Sequence, residues 1–365
     1  MKIGILGTRG IPNHHGGFEQ FAEFFAVYLV EKGHKVAVYN SSCHPFQESS
    51  FQGVEIIHCY DPEDRIGTAG QFIYDFNCIM NSRKRKFDIL LQLGYTSSSV
   101  WSNLLPKGSL ILTNMDGLEW KRSKYSKPVR RFLKYAERQA VKKSDFLIAD
   151  SLGIQDYLLS TYNAPSEYIA YGATLFDSAD PSIIADYGVE KGNYNMLIAR
   201  LEPENNIEVI LDGALASENQ TPFLVVGKND VNSFGKYLTN KYKKTHIRFC
   251  GGIYNLKHLN NLRYFSNLYF HGHSVGGTNP SLLEAMASNA LIVAHENPFN
   301  QSVLKDGAFY FQTPEQIGFF IDNVNKEDHM EKLKRSKHII ANHFNWNLIN
   351  NKYLEFFNEC ITEHR

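Results

Sequence analysis

Two stretches of the chain hold the residue types from which a phosphate and sugar site is built. In GGTNPSLLEAMASN (276–289), Gly276 and Gly277 leave the backbone bare, and Pro280 suits a first helical turn. Leu282, Leu283, Ala285 and Met286 mark the inward face of that helix. Peptide N–H groups around Thr278 and Asn279 therefore stand at the positive end of a helix, where phosphate binds. Glu284, one turn further on, is an acid in an oily helix, and a buried carboxylate needs hydrogen-bond donors. Sugar hydroxyls would serve, as would the protein's own backbone or an arginine. In YNMLIARLEPENNIEVIL (194–211), Arg200 closes an apolar run, and Asn205 and Asn206 lead into the next helix. A guanidinium at a strand end forks onto phosphate; the alternative is an ion pair with Glu202 or Glu204.

The loop GTRGIPNHHGGFEQF (7–21) also joins a strand to a helix, with Gly16 and Gly17 at the helix start. Its spacing is not G-x-G-x-x-G, so a dinucleotide site is disfavoured; it reads as a ligand-approaching loop or a plain turn. Asp116 and Glu119 follow another strand end, where their carboxylates could orient a ligand hydroxyl. From 120 to 143 the chain has ten Lys or Arg against one acid, opening with Lys121 and Arg122. Trp120, Tyr125, Phe132 and Tyr135 are interleaved, and Arg83, Lys84, Arg85 and Lys86 add a second patch. Such a run is either a solvated helix face or a surface for anionic lipid headgroups and a lipid-linked diphosphate. Nucleic acid is the weaker reading, because Lys+Arg and Asp+Glu balance at 38 each and no recognition motif is present.

These residues need strands and helices to place them. KIGILG (2–7), KVAVYN (35–40), VEIIHCY (54–60), FDILLQLG (87–94), SLILTN (109–114) and DFLIAD (145–150) read as buried strands. Helical patterns alternate with them, the first through Phe18, Phe21, Ala22, Phe25 and Leu29 with Gly33 as its stop. The pattern restarts with YNMLIAR (194–200), TPFLVVG (221–227), HIRFCG (246–251), NLYFHG (267–272) and ALIVAHE (290–296). Alternating strands and helices predict parallel α/β sheets, and 365 residues exceed one ordinary core. The expected division is 1–175, 176–343 and a C-terminal helix in 344–365, with a ligand cleft at the carboxyl ends of the strands. Five scattered cysteines without a Cys-x-x-Cys pair point to a reducing compartment. No secretory signal or membrane-spanning run is apparent, so a cytoplasmic protein is expected.

HGGFE, ARLEPENNI and GGTNPSLLEAMASNALIVA together resemble the family-four retaining glycosyltransferases, which have the GT-B fold of two Rossmann-like domains facing across a cleft. GTRGIP, TNMDGLEWKRSKY and HGHSVGGTNPSLLEAMA resemble, more narrowly, bacterial rhamnosyltransferases of capsule and cell-wall polysaccharides. The resemblance runs nearly the whole chain. It implies acceptor binding by the N-terminal domain, nucleotide-sugar binding by the C-terminal one, and a last helix crossing back. It further implies dTDP-L-rhamnose as donor, a polyprenyl-diphosphate-linked sugar as acceptor, work at the inner membrane surface, and neither metal nor cofactor. UDP- or GDP-sugars, a nucleotide-sugar epimerase or phosphorylase, and a catalytically silent binding scaffold are the alternatives. Arg200 and Thr278 would hold the diphosphate, Glu284 the ribose, and Asp116 the acceptor hydroxyl. Two positions depart from the family pattern: Gly276 replaces its first glutamate and Asn205 its usual lysine. Lys228, at a strand end, is the candidate to replace that cation.

Overall fold

Short β-branched runs separated by 3.6-period segments form two sheets, each of parallel strands covered by helices. The computed structural model describes residues 1–14, 16–122, 125–274 and 277–364. The chain divides into two compact units. The first comprises Met1–Lys121, Tyr125–Tyr171 and Trp346–Arg365; the second gathers Gly172–Asn345 together with Arg122.

In the first unit the strands are β1 (Lys2–Leu6), β2 (Lys35–Ser41), β3 (Ser50–Phe51), β4 (Val54–Cys59), β5 (Ile89–Leu93), β6 (Leu110–Asn114), β7 (Phe146–Ala149) and β8 (Glu167–Tyr168). Their order is β3-β4-β2-β1-β5-β6-β7-β8, with only β3 antiparallel. The chain reverses direction across the sheet between β1 and β5, which puts the loops after Leu6 and Leu93 on either side of a topological switch point. The first helix, Gly17–Glu31, buries Phe21, Ala22, Phe25, Ala26 and Leu29. The last helix, Trp346–His364, belongs to this unit: Trp346 stacks on Phe24 at 4.6 Å, Tyr353 lies 4.7 Å from Phe21, and Phe357 meets Phe25 edge-on at 5.5 Å. The C-terminal segment thus returns to the N-terminal sheet, as the resemblance implies.

The second unit holds β9 (Asn195–Ile198), β10 (Phe223–Val226), β11 (Ile247–Gly251), β12 (Tyr269–His271), β13 (Ile292–His295) and β14 (Phe309–Phe311). The order β11-β10-β9-β12-β13-β14 is all parallel and has its switch point between β9 and β12. Leu197, Val225, Phe270 and Val293 from neighbouring strands pack with Ile207, Leu211 and Ile317 into one core. Three strands escape the sequence reading, β3, β8 and β14. Each is only two or three residues long, too short to show a period.

Candidate active site

Arg200 leaves the end of β9 as an exposed side chain, at the switch point of the second sheet. Its backbone carbonyl accepts a 2.7 Å bond from Asn205 Nδ2, and Asn205 is itself buried. The asparagine that stands in place of a lysine therefore fixes the arginine's backbone. Across the switch point β12 ends in His271-Gly-His273, and the two imidazoles stack with centroids 4.4 Å apart. Burial, then Arg200 and Arg122, push His273 down to about 3. Burial, then His273 and Arg263, hold His271 well below the ordinary imidazole range.

Arg263 connects this edge to Glu284. It lies in the helix Leu256–Phe265, is 1% exposed, and donates from Nη2 to Glu284 Oε2 at 2.6 Å. Nη1 reaches Asn260 Oδ1 at 3.0 Å. Of the donors open to Glu284 in the sequence, an arginine of the same protein takes one carboxylate oxygen. Glu284 retains 18% side-chain exposure. Its helix, Pro280–Ala287, is capped by Asn279, whose Oδ1 accepts from Ser281 N at 2.9 Å. Asn279 is thus engaged in forming the helix end. Thr278 is buried beside it, Gly277 precedes them, and Gly276 lies outside the described residues. Lys228 follows β10 as an exposed side chain, its ammonium 5.6 Å from the Tyr254 ring.

The first unit has its own edge of polar groups. Gly16 caps the first helix, Gly17 begins it, and Glu19 is buried with Oε1 accepting Arg9 N at 2.9 Å. Gly10 has φ +125°, and a Cβ there would lie 2.3 Å from Asn40, whose carboxamide clasps Ile11 on both sides. Asp116 sits just past β6 with φ +49°, its N–H donating to Asn114 Oδ1 at 3.0 Å. Burial, then the charge of Asp116, hold the Asp150 carboxyl at the end of β7 well above the carboxylate range. Glu119 and Lys121 form a single 3₁₀ turn after Asp116, with Lys121 over the Trp120 ring.

The basic run becomes the helix Lys127–Lys143. Lys134 is withdrawn from it: its ammonium bonds Glu137 and the Tyr157 hydroxyl beneath the Trp120, Tyr157 and Tyr162 rings. Glu137, with a side chain 2% exposed, also accepts from Trp120, Tyr157 and Tyr162. Lys127, Arg131, Tyr135, Arg138 and Lys142 remain exposed on one stripe of the helix. Among the described residues no group of three or more His, Cys, Asp or Glu is placed to hold a metal ion, and no helix is long and apolar enough to cross a membrane.

Arg263, His271 and His273 are the residues that sequence reasoning missed. Arg263 looks like an ordinary surface charge in LKHLNNLRYF, and the one hint is the aromatic pair beside it.

Comparison with known proteins adds to this geometry. Residues 181–340 match the family described as glycosyl transferases group 1, and residues 1–174 match one described as a domain of unknown function, DUF1972. An uncharacterized glycosyltransferase of Methanocaldococcus jannaschii is 24% identical over 236 residues, spanning 60% of this chain and 60% of that protein. Sucrose-phosphate synthase of Thermosynechococcus elongatus superimposes with a TM-score of 0.78 at 15% identity, covering 99% of both chains. Anabaena HepE in complex with UDP and glucose gives 0.75 at 15% identity, covering 98% of this chain and 100% of that one. Trehalose 6-phosphate synthase of Burkholderia multivorans gives 0.73 at 12% identity, covering 100% and 97%. The chain has the GT-B fold, and its residues 181–340 match the family described as glycosyl transferases group 1.

Proposed function

We propose that the protein is a retaining glycosyltransferase that moves a sugar from a nucleoside-diphosphate donor, L-rhamnose from dTDP-L-rhamnose, to a polyprenyl-diphosphate-linked saccharide. The observation that carries the donor half is the switch point of the second sheet. There Arg200 is exposed, its charge and that of Arg263 act on the stacked His273 and His271, and Arg263 binds Glu284. As the glycosidic bond breaks, negative charge grows on the departing diphosphate. The Arg200 guanidinium, on a backbone held by Asn205, and helix-end N–H groups near Thr278 stabilise charge at that place. Lys228 supplies a further cation at the next strand end. Arg263 orients the Glu284 carboxylate, whose exposed part is offered to ribose hydroxyls. In this reading Asp116, with Glu119, Lys121 and Arg122, receives the acceptor. The exposed stripe of the Lys127–Lys143 helix rests on the anionic inner face of the cell membrane. No metal is assigned a role.

Rhamnose rests on the resemblance of the sequence motifs, whereas a UDP-sugar is favoured by HepE, whose structure holds UDP and glucose. A silent scaffold is favoured by Asn205, which bonds a backbone carbonyl where the family pattern has a cation. Incubation of the purified protein with polyprenyl-diphosphate-linked saccharide and, in turn, dTDP-L-rhamnose, UDP-glucose and GDP-mannose separates these readings. Nucleoside diphosphate release with dTDP-L-rhamnose alone is expected, and Arg200→Ala should slow it ~10²-fold, about 3 kcal/mol of barrier. Release with another donor reassigns the sugar. Release with none leaves the scaffold.

A further inference from the structure

The proposed transfer assigns no chemical step to the two imidazoles at the end of β12. His271 is 1% exposed, and among the described residues neither of its ring nitrogens has a hydrogen-bond partner. Nδ1 of His273 is likewise shut off from water and unpartnered. Buried polar atoms are nearly always paired, and a neutral imidazole has one nitrogen to donate and one to accept.

The placement is tightly built. A Cβ on Gly272 would lie 2.0 Å from the Asn205 carbonyl oxygen, so only glycine lets the Arg200 segment close on this strand end. Asn206 Nδ2 then binds Gly272 O at 2.8 Å, and Ser274 Oγ binds Glu204 O at 2.7 Å. From the β13 side, Asn297 and Asn300 both donate to His273 O, at 3.0 and 3.1 Å. Four side chains thus hold a backbone on which, among the described residues, three imidazole nitrogens have no partner.

We propose that His273, backed by His271, is a proton-accepting contact for the donor's diphosphate: the pair takes up a proton from solvent as the diphosphate binds beside Arg200, and releases it when the diphosphate leaves. The inference rests on the donor-site reading above and adds a residue to it. The charged groups facing the pair are Arg200 from the end of β9, Arg122, and Arg263 from the helix Leu256–Phe265, which is itself matched by Glu284. Burial first, and then those cations, keep both rings neutral in the free protein. Two negative charges arriving at Arg200 reverse the local balance. The imidazolium then donates to a phosphate oxygen, adding a second cation where the leaving group develops charge.

The test uses donors whose diphosphate is esterified at both ends, because a terminal phosphate titrates near pH 6 and would exchange protons itself. The full-length protein is titrated calorimetrically at pH 7 with dTDP-L-rhamnose, UDP-glucose and GDP-mannose. Pipes and Tris, which differ in heat of ionisation, serve as buffers. Net proton uptake is expected with the donor that binds, and His273→Gln should abolish it while binding persists at lower affinity. Binding without uptake, or uptake undiminished in His273→Gln, overturns the inference and leaves the donor site standing. No binding of any donor overturns the donor-site reading and this inference with it. The wild-type histidine Cε1–H resonances provide a readout independent of any variant. One pair should move downfield on donor addition, and unmoved resonances with bound donor overturn the proposal.

Discussion

A guanidinium that is 1% exposed persists in a protein interior only where its charge is matched, and for Arg263 the match is Glu284 at 2.6 Å. Removing one partner of such a pair leaves the other uncompensated. Arg263→Leu should therefore destabilise the second unit by about 3 kcal/mol, a fall of roughly 6–12 °C in its unfolding temperature. Glu284→Gln keeps an acceptor for Arg263 and should lower it less; equal losses in a thermal melt would refute the pairing as the cause. The histidines beside them make a pH prediction with a definite sign. His271 and His273 are neutral when folded because their pKa values are depressed, His273 to about 3. In the unfolded chain an imidazole titrates near 6.5, so below about that pH the unfolded state binds more protons and stability falls. The slope reaches about 1.4 kcal/mol per pH unit for each ring, and above pH 6.5 this source contributes none. His271→Leu should lose less unfolding temperature than wild type between pH 7 and 5, checked by parallel melts at the two pH values.

In the helix Lys127–Lys143, sequence and structure part company. Read as a string, its cations are equivalent; folded, they are two populations. Burial would lower the pKa of Lys134, but the hydrogen bonds it donates to Glu137 and Tyr157, with that to Tyr162, outweigh this and raise it, and it fastens the helix to Trp120 and the helix Leu152–Tyr162. Among the described residues, Lys127, Arg131, Arg138 and Lys142 have no such inward partner, and they flank the half-exposed Tyr135. Only the latter population suits an anionic surface. Each basic residue near such a surface contributes about 1 kcal/mol, so replacing Arg131, Arg138 and Lys142 by Gln should weaken partition onto phosphatidylserine vesicles roughly 100-fold at low salt. The unfolding temperature should hardly change, because the three side chains are exposed. Lys134→Met should do the reverse, leaving vesicle binding and lowering the melt, since Glu137 would lose its cation. Flotation and melting of the two variants side by side decide between a docking stripe and a solvated face.

At the scale of the chain, the parallel sheets were legible because buried central strands are continuous apolar runs; 11 of the observed strands follow such runs, from Lys2–Leu6 to Ile292–His295. The edge strands β3, β8 and β14 were not, because two or three residues carry no period. Among the site residues, Arg200, Thr278 and Glu284 were visible as single features at strand and helix ends. The ion pair to Arg263 and the stacked imidazoles were invisible, because both join segments that only the folded sheet brings together. The return of Trp346–His364 to the first unit has the same long-range character and yields a prediction about folding units. That helix buries Trp346, Ile349, Tyr353, Phe357 and Cys360, the aromatic ones against Phe21, Phe24 and Phe25. At roughly 1.5–3 kcal/mol for each large apolar side chain, its burial is worth on the order of 10 kcal/mol, comparable with the net stability of a whole domain. A fragment of residues 1–171 should therefore fail to fold alone and should fold when residues 346–365 are appended through a flexible linker. A fragment of residues 172–345, with six strands and a core of its own, should fold without either. Circular dichroism melts of the three fragments check this. A cooperative transition in 1–171 by itself would show that the last helix is an accessory to the first unit, and that the core around Phe21 and Phe25 closes without it.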